Sequence, residues 1–142
     1  MTTPEVRAAF AAFCGVDQYR RFVRVLNPTP RGPDRLMYWQ EALWEGFAFG
    51  HQDLKRPTFA DLRDMFRVCD VHGTELLRDA VPIVYGGAEP SADFSRAADL
   101  EFPFAQTELR VRCALPGPNA TEVDYCTDCR IAKAAWMAAH AG

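Results

Sequence analysis

The sequence predicts an α+β fold: an N-terminal helical layer packed on a smaller part built of strands and a closing helix. Three observations lead to this expectation. Apolar residues recur at helical spacing through residues 1 to 67. Past His72 the period shifts toward the alternation of strands. Two pairs of metal-ligating side chains, Cys69-x-x-His72 and Cys126-x-x-Cys129, then bracket the second part. At 142 residues and 49% hydrophobic content the chain suffices for one domain with a real core, read as 1–142 with a helical part over 1–67 and a ligand-bearing part over 68–142.

The elements follow in order. Thr3-Pro4 reads as an N-cap with proline at the first helical position, and Val6, Phe10 and Phe13 recur behind it. Cys14 falls on the buried face of that helix. Asp17 can cap a second helix, whose Tyr19, Phe22, Val23 and Leu26 stand at i, i+3, i+4 and i+7. The proline-rich "NPTPRGP" cannot continue it. Asp34 then opens a third helix, with Leu36, Trp39, Leu43 and Phe47 on one apolar stripe and Met37 and Trp44 on another. Thr58-x-x-Asp61 is a capping-box pattern ahead of Phe59, Leu62 and Phe66.

In the second part, "TELLRDAVPIVYG" reads as two short strands around a turn at Arg78-Asp79, with Pro82 restricting the second strand to an edge or a bulge. Residues 86–106 form a long segment rich in Gly, Pro, Ala and Asp. Leu109, Val111, Cys113 and Leu115 alternate with polar or small neighbours as in a half-buried strand, which makes Cys113 a core residue rather than a fifth ligand. "NATEVDY" lacks the character of a buried apolar strand. The Ala-rich C-terminus is a helix with Cys126 and Cys129 in its first turn and Ile131, Ala135 and Ala138 on one face.

Zinc in a structural site takes four Cys or His ligands in a tetrahedron. Pairs spaced by two residues suit it because one tight turn then presents both donors. Cys69, His72, Cys126 and Cys129 are therefore the expected ligands of one structural zinc per chain. Gly73 stands where that turn needs a left-handed residue. The N-terminus of the last helix places N–H groups and a favourable dipole beside the sulfurs. Knuckle, hairpin, strand and ligand-bearing helix, in that order, resemble a treble-clef zinc finger, with the 86–106 segment accounting for the long spacing between the pairs.

The blocks "YWQEALWEGF", "FRVCDVHGTELLRDAVPIVYG", "FPFA" and "YCTDCR" also resemble those of a group of small, functionally uncharacterised bacterial zinc-binding proteins carrying C-x2-H-G, V-P-I-x-Y-G and Y-C-x2-C. The resemblance spans roughly residues 36–130. It implies that the two pairs form one site, and it implies no catalytic residue.

Other functions fit less well. A C-x-x-C opening a helix is also the redox dithiol of thioredoxin-like folds, but there it follows a buried strand in a βαβ unit. A zinc deaminase requires His-x-Glu and Pro-Cys-x-x-Cys. Here Glu75 stands three residues after His72, Tyr125 precedes Cys126, and Cys69 is placed to fill the fourth position. A zinc hydrolase using Glu75 as general base is the enzymatic alternative.

Residues 1–67 hold ten Arg/Lys against eight Asp/Glu, and residues 68–142 hold six against eleven. An acidic ligand-bearing half disfavours a nucleic-acid-binding finger, so Arg20, Arg21 and Arg24 read as a solvated face. Glu41/Glu45, His51 and His140 read as ordinary surface groups. Five cysteines, no leader-like N-terminus and no membrane-spanning run lead to the expectation of a soluble cytoplasmic protein with reduced thiols, in which the Asn119-Ala120-Thr121 sequon has no role. The favoured role is binding another protein or a second copy, with Met37 and Trp44 of the third helix and Phe102 and Phe104 of "DLEFPF" as candidate docking residues. The competing expectation is that Leu100, Phe102 and Phe104 fold back and cover the second stripe of that helix.

Overall fold

A computed structural model describes residues 1–28, 33–112 and 117–141. Among these residues the order is α1 (Thr3–Cys14), α2 (Val16–Leu26), α3 (Tyr38–Phe49), α4 (Phe59–Met65), β1 (Leu77–Tyr85), α5 (Ala92–Glu101), β2 (Leu109–Val111), β3 (Ala120–Tyr125) and α6 (Thr127–Ala139). The architecture is thus α+β, with six helices and a small three-stranded sheet. No described helix is long and apolar enough to cross a membrane. The chain divides into two units, Met1–Asp70 and Val71–Gly142.

In the first unit Thr2, not Thr3, caps α1. The Thr2 hydroxyl accepts from the Glu5 N–H at 3.3 Å and the Glu5 carboxylate accepts from the Thr2 N–H at 3.3 Å. Only Thr2 has an acidic residue three positions on, which decides between the two threonines. Gly15, at φ 82°, ends α1 and begins α2, so Asp17 falls inside the first turn of α2 instead of capping it. The left-handed φ lets one glycine turn the chain between two helices without a loop. Thr58 and Asp61 form the expected capping box of α4, with Thr58 Oγ1 accepting at 3.1 Å and Asp61 Oδ2 accepting at 2.9 Å. Thr58→Ala is expected to cost about 1 kcal/mol, measurable as a lowered denaturant midpoint at unchanged m-value.

The core of this unit is aromatic. Phe10 is fully buried against the rings of Phe22 (4.8 Å), Phe66 (5.2 Å), Trp44 (5.3 Å), Phe47 (5.3 Å) and Tyr19 (6.2 Å). Phe13, expected beside it, is 51% exposed. On α3 the inward face is Gln40, Trp44 and Phe47, while Leu36, Trp39 and Leu43 pack half-buried against its border. Trp44 is therefore a core residue, and the expected division of α3 into two stripes is rotated. Gln40 is tolerated inside because its amide nitrogen donates to the Phe22 carbonyl at 3.1 Å and its Oε1 accepts from the Met37 N–H at 2.9 Å. Asn27 likewise donates to the Val23 and Phe66 carbonyls at 3.1 and 2.7 Å, joining α2 to the end of α4. The arginines of α2 have partners inside this unit: Arg24 at 2.7 Å and Arg20 at 3.9 Å from the Asp70 carboxylate, and Arg21 over the Trp39 ring at 4.9 Å.

In the second unit the expected hairpin around Arg78-Asp79 does not exist. Residues 77–85 are one continuous strand, and it is the central one, in the order β2-β1-β3. β1 runs antiparallel to β3, with Leu77 opposite Tyr125 and Pro82 opposite Ala120, and parallel to β2 from Ile83 to Tyr85. The charged pair read as a turn instead makes cross-strand contacts: Arg78 lies 3.5 Å from Glu122 and 3.7 Å from Asp124. Pro82 is accommodated in a central strand because N–H directions alternate. Ile83 donates to Asn119 on the β3 side and Gly86 to Val111 on the β2 side, so the donor Pro82 lacks would face β2 one residue before that pairing begins.

"NATEVDY" contains strand β3, recruited by pairing with β1 although Val123 is its only buried side chain. Within the 86–106 segment lies α5, capped by Ser91, whose hydroxyl accepts from the Phe94 N–H at 3.1 Å. The expected long strand after Thr107 is described only over Leu109–Val111; Cys113 and Leu115 lie outside the described residues. On α6, Ile131, Ala135 and Ala138 are exposed, and the inward side chains are Cys129 and the half-buried Trp136. Phe102 is buried beside Phe94 (5.7 Å) and Trp136 (6.4 Å), Phe104 is buried too, and Leu100 is exposed.

Candidate metal centre

The four expected ligands come together. The side-chain donor atoms of Cys69, His72, Cys126 and Cys129 all lie within 4.8 Å of one another, and all three cysteines are buried. The His72 Nδ1 is 3.3 Å from the Cys129 sulfur and 3.8 Å from the Cys126 sulfur. A tetrahedral ion with metal–sulfur and metal–nitrogen distances of about 2.3 and 2.0 Å separates sulfur from nitrogen by about 3.5 Å. The observed spacings bracket that value, so the residues fit a four-coordinate ion. Among the described residues no other group of three or more His, Cys, Asp or Glu side chains gathers in this way.

Local structure explains each placement. Cys126 is the N-cap of α6, and its sulfur accepts from the Cys129 N–H at 3.4 Å, so the helix start that orients both thiols also donates to one. The Cys126 N–H is bonded to the Phe104 carbonyl at 2.8 Å, which fixes the chain as it leaves β3. Gly73, at φ 72°, makes the turn behind His72, as expected from the sequence. The Thr74 hydroxyl, immediately beyond, donates to the Asp128 carboxylate, tying the histidine turn to the first turn of α6. Between the two ligands of the first pair, the Asp70 side chain is 3% exposed and accepts from Arg24 Nε at 2.7 Å. A charged pair of that geometry beside Cys69 fixes the backbone that presents its thiol. Arg130, next to Cys129, bonds Asp79 of β1 at 3.0 Å and the Gln106 carbonyl at 2.7 Å, so α6 is also held to the sheet.

No family model, curated protein or solved structure matches this chain. What the group can do is therefore argued from its own chemistry. Three sulfurs and an imidazole form a soft donor set able to hold a metal ion.

The remaining sequence candidates fall elsewhere. Cys14 is half-buried in α1, where burial pushes its thiol pKa up to about 11, the opposite of a reactive or ligating thiol. Glu75 is exposed and outside the ligand group. Of the candidate docking residues, Trp44, Phe102 and Phe104 are buried and present no docking surface; only Met37 stays half-exposed. α3 does carry exposed apolar side chains, but they are Tyr38 and Phe49 beside Met37 rather than Trp44, because the inner face admits a satisfied glutamine, Gln40. Sequence reasoning missed Asp70, Thr74 and Asp128 as positioning residues. The signal was present, since Asp70 lies between Cys69 and His72, Thr74 directly follows Gly73, and Asp128 lies between the two cysteines of the second pair.

Proposed function

We propose that Cys69, His72, Cys126 and Cys129 hold one structural zinc ion, that the chain from Cys69 through α6 is a treble-clef-like finger, and that the protein is a non-enzymatic interaction module working in a reducing, cytoplasmic compartment. The observation that carries this reading is the gathering of four N/S donors within 4.8 Å of one another. Such a set favours zinc over hard cations and leaves no open position for water. A closed tetrahedron neither generates hydroxide nor polarises a substrate. The strand order supports the finger: the turn at Gly73 leads into β1, β1 pairs antiparallel with β3, and β3 runs into the helix bearing the second pair. α5 and β2 then stand as an elaboration of the loop between the two hairpin arms.

Binding another protein is the role left to a rigid site without chemistry, and exposed aromatics on α3 supply a surface for it. Tyr38 is 87% and Phe49 80% exposed. Aromatic side chains dominate interface energetics when a partner buries them. The partners engaged by Arg20, Arg21 and Arg24 weigh against a phosphate-gripping face. Elemental analysis of purified protein is expected to give one zinc per chain, and a Tyr38→Ser/Phe49→Ser variant is expected to keep that zinc while losing partner capture or self-association. Glu75→Ala is expected to leave metal content and the spectrum of the cobalt-substituted protein unchanged. A spectrum showing an exchangeable water ligand would instead support the hydrolase reading.

A further inference from the structure

A second site lies within the second unit, in the cleft of about 600 Å³ between α5, α6 and β2. Its apolar wall is Phe94, Phe102 and Trp136, with Phe94 edge-on to Trp136 at 5.5 Å. The volume lies within the range of small-ligand pockets, which combine an apolar lining with a few placed polar groups. Two polar groups here lack full partners. The Lys133 ammonium is bonded to Thr107 Oγ1 at 3.3 Å, and the carboxylate whose charge acts on it is that of Glu108. Glu108, the acid nearest to hand, is engaged by Arg110 at 3.0 Å. An ammonium carries three donors, so Lys133 has donors to spare, and burial lowers its pKa. The Gln106 side chain also lines the cleft, and its Oε1 is buried without a hydrogen-bond partner. A half-buried cation beside three aromatic rings suits a ligand that joins an apolar ring to an anionic group.

We propose that this cleft binds a small aromatic carboxylate, its ring against Phe94 and Trp136 and its carboxylate on Lys133. The charge is notable for its surroundings: Lys133 and Arg110 are two of only six basic residues in the acidic stretch 68–142, and both face this one cleft.

Titration calorimetry of the full-length, zinc-loaded protein with 2-naphthoate tests the proposal, with the neutral 2-naphthamide as its matched control. The expected result is saturable binding of naphthoate and at least about tenfold weaker binding of the amide, the effect of losing one charge-assisted hydrogen bond. Lys133→Met should weaken naphthoate by a similar factor and remove the preference over the amide, while Lys133→Arg should retain it. The amide comparison needs no variant, so it stands even where a substitution disturbs folding. No saturable naphthoate binding, equal binding of acid and amide, or a Lys133→Met protein that keeps the preference would each overturn the assignment.

Discussion

With zinc held by the four ligands as proposed, its removal is expected to unfold residues 71–142. Apparent binding free energies of structural zinc in zinc-finger peptides are about 10–16 kcal/mol at neutral pH, which exceeds the total stability of most domains. The second unit has little to put in its place: its fully buried side chains include Cys126, Cys129 and Val123, and its sheet is three strands with one parallel pair of only three residues. Chelation followed by circular dichroism and amide exchange should therefore show loss of β1, β3 and α6 protection, restored by zinc. Cys126→Ser should reproduce the loss at full zinc supply, since it removes a ligand and the sulfur that accepts from Cys129 N–H. Cys113→Ser should keep the metal. If the Cys113 change releases zinc and the Cys126 change does not, the ligand set is wrong.

Trp44→Ala is expected to destabilise the first unit by about 3–5 kcal/mol, the range for emptying a large aromatic site in a core. The indole lies against Phe10 (5.3 Å), Phe47 (5.3 Å) and Phe66 (6.0 Å), so its removal leaves three rings facing a cavity they cannot jointly fill. Equilibrium denaturation measures the loss. Metal content should not change, because all four ligands lie outside the Trp44 packing cluster. A Trp44→Ala protein as stable as the parent would mean that the aromatic cluster is not the core of this unit.

Much of the first unit was legible because its information is local. The spacing of Tyr19, Phe22, Val23 and Leu26, and the Thr58/Asp61 box, are set within a turn or two of helix. The ligands were legible for the same reason, since each pair is presented by one turn. What failed was decided at a distance. Arg78-Asp79 looks like a turn until Glu122, Asp124 and Arg130, more than forty residues on, supply their partners. β3 has too few apolar residues to declare itself and is a strand because β1 pairs with it. α5 was hidden by the glycines and proline before it, although Ser91 is a residue type suited to cap its start. Trp44 was misplaced because Gln40 interrupts the inner stripe with a polar residue whose hydrogen bonds only the folded chain reveals.

The antiparallel pair of β1 and β3 is joined through residues 86–119 rather than by a tight turn. Closure entropy grows only with the logarithm of loop length, so doubling this connection costs about 0.6 kcal/mol. Residues 87–91, exposed between the end of β1 and the first turn of α5, therefore offer a place to splice a guest sequence. A folded passenger inserted there would ride on a frame closed by strand pairing and, with the four ligands holding zinc as proposed, by metal coordination, so a chelator would loosen its anchorage.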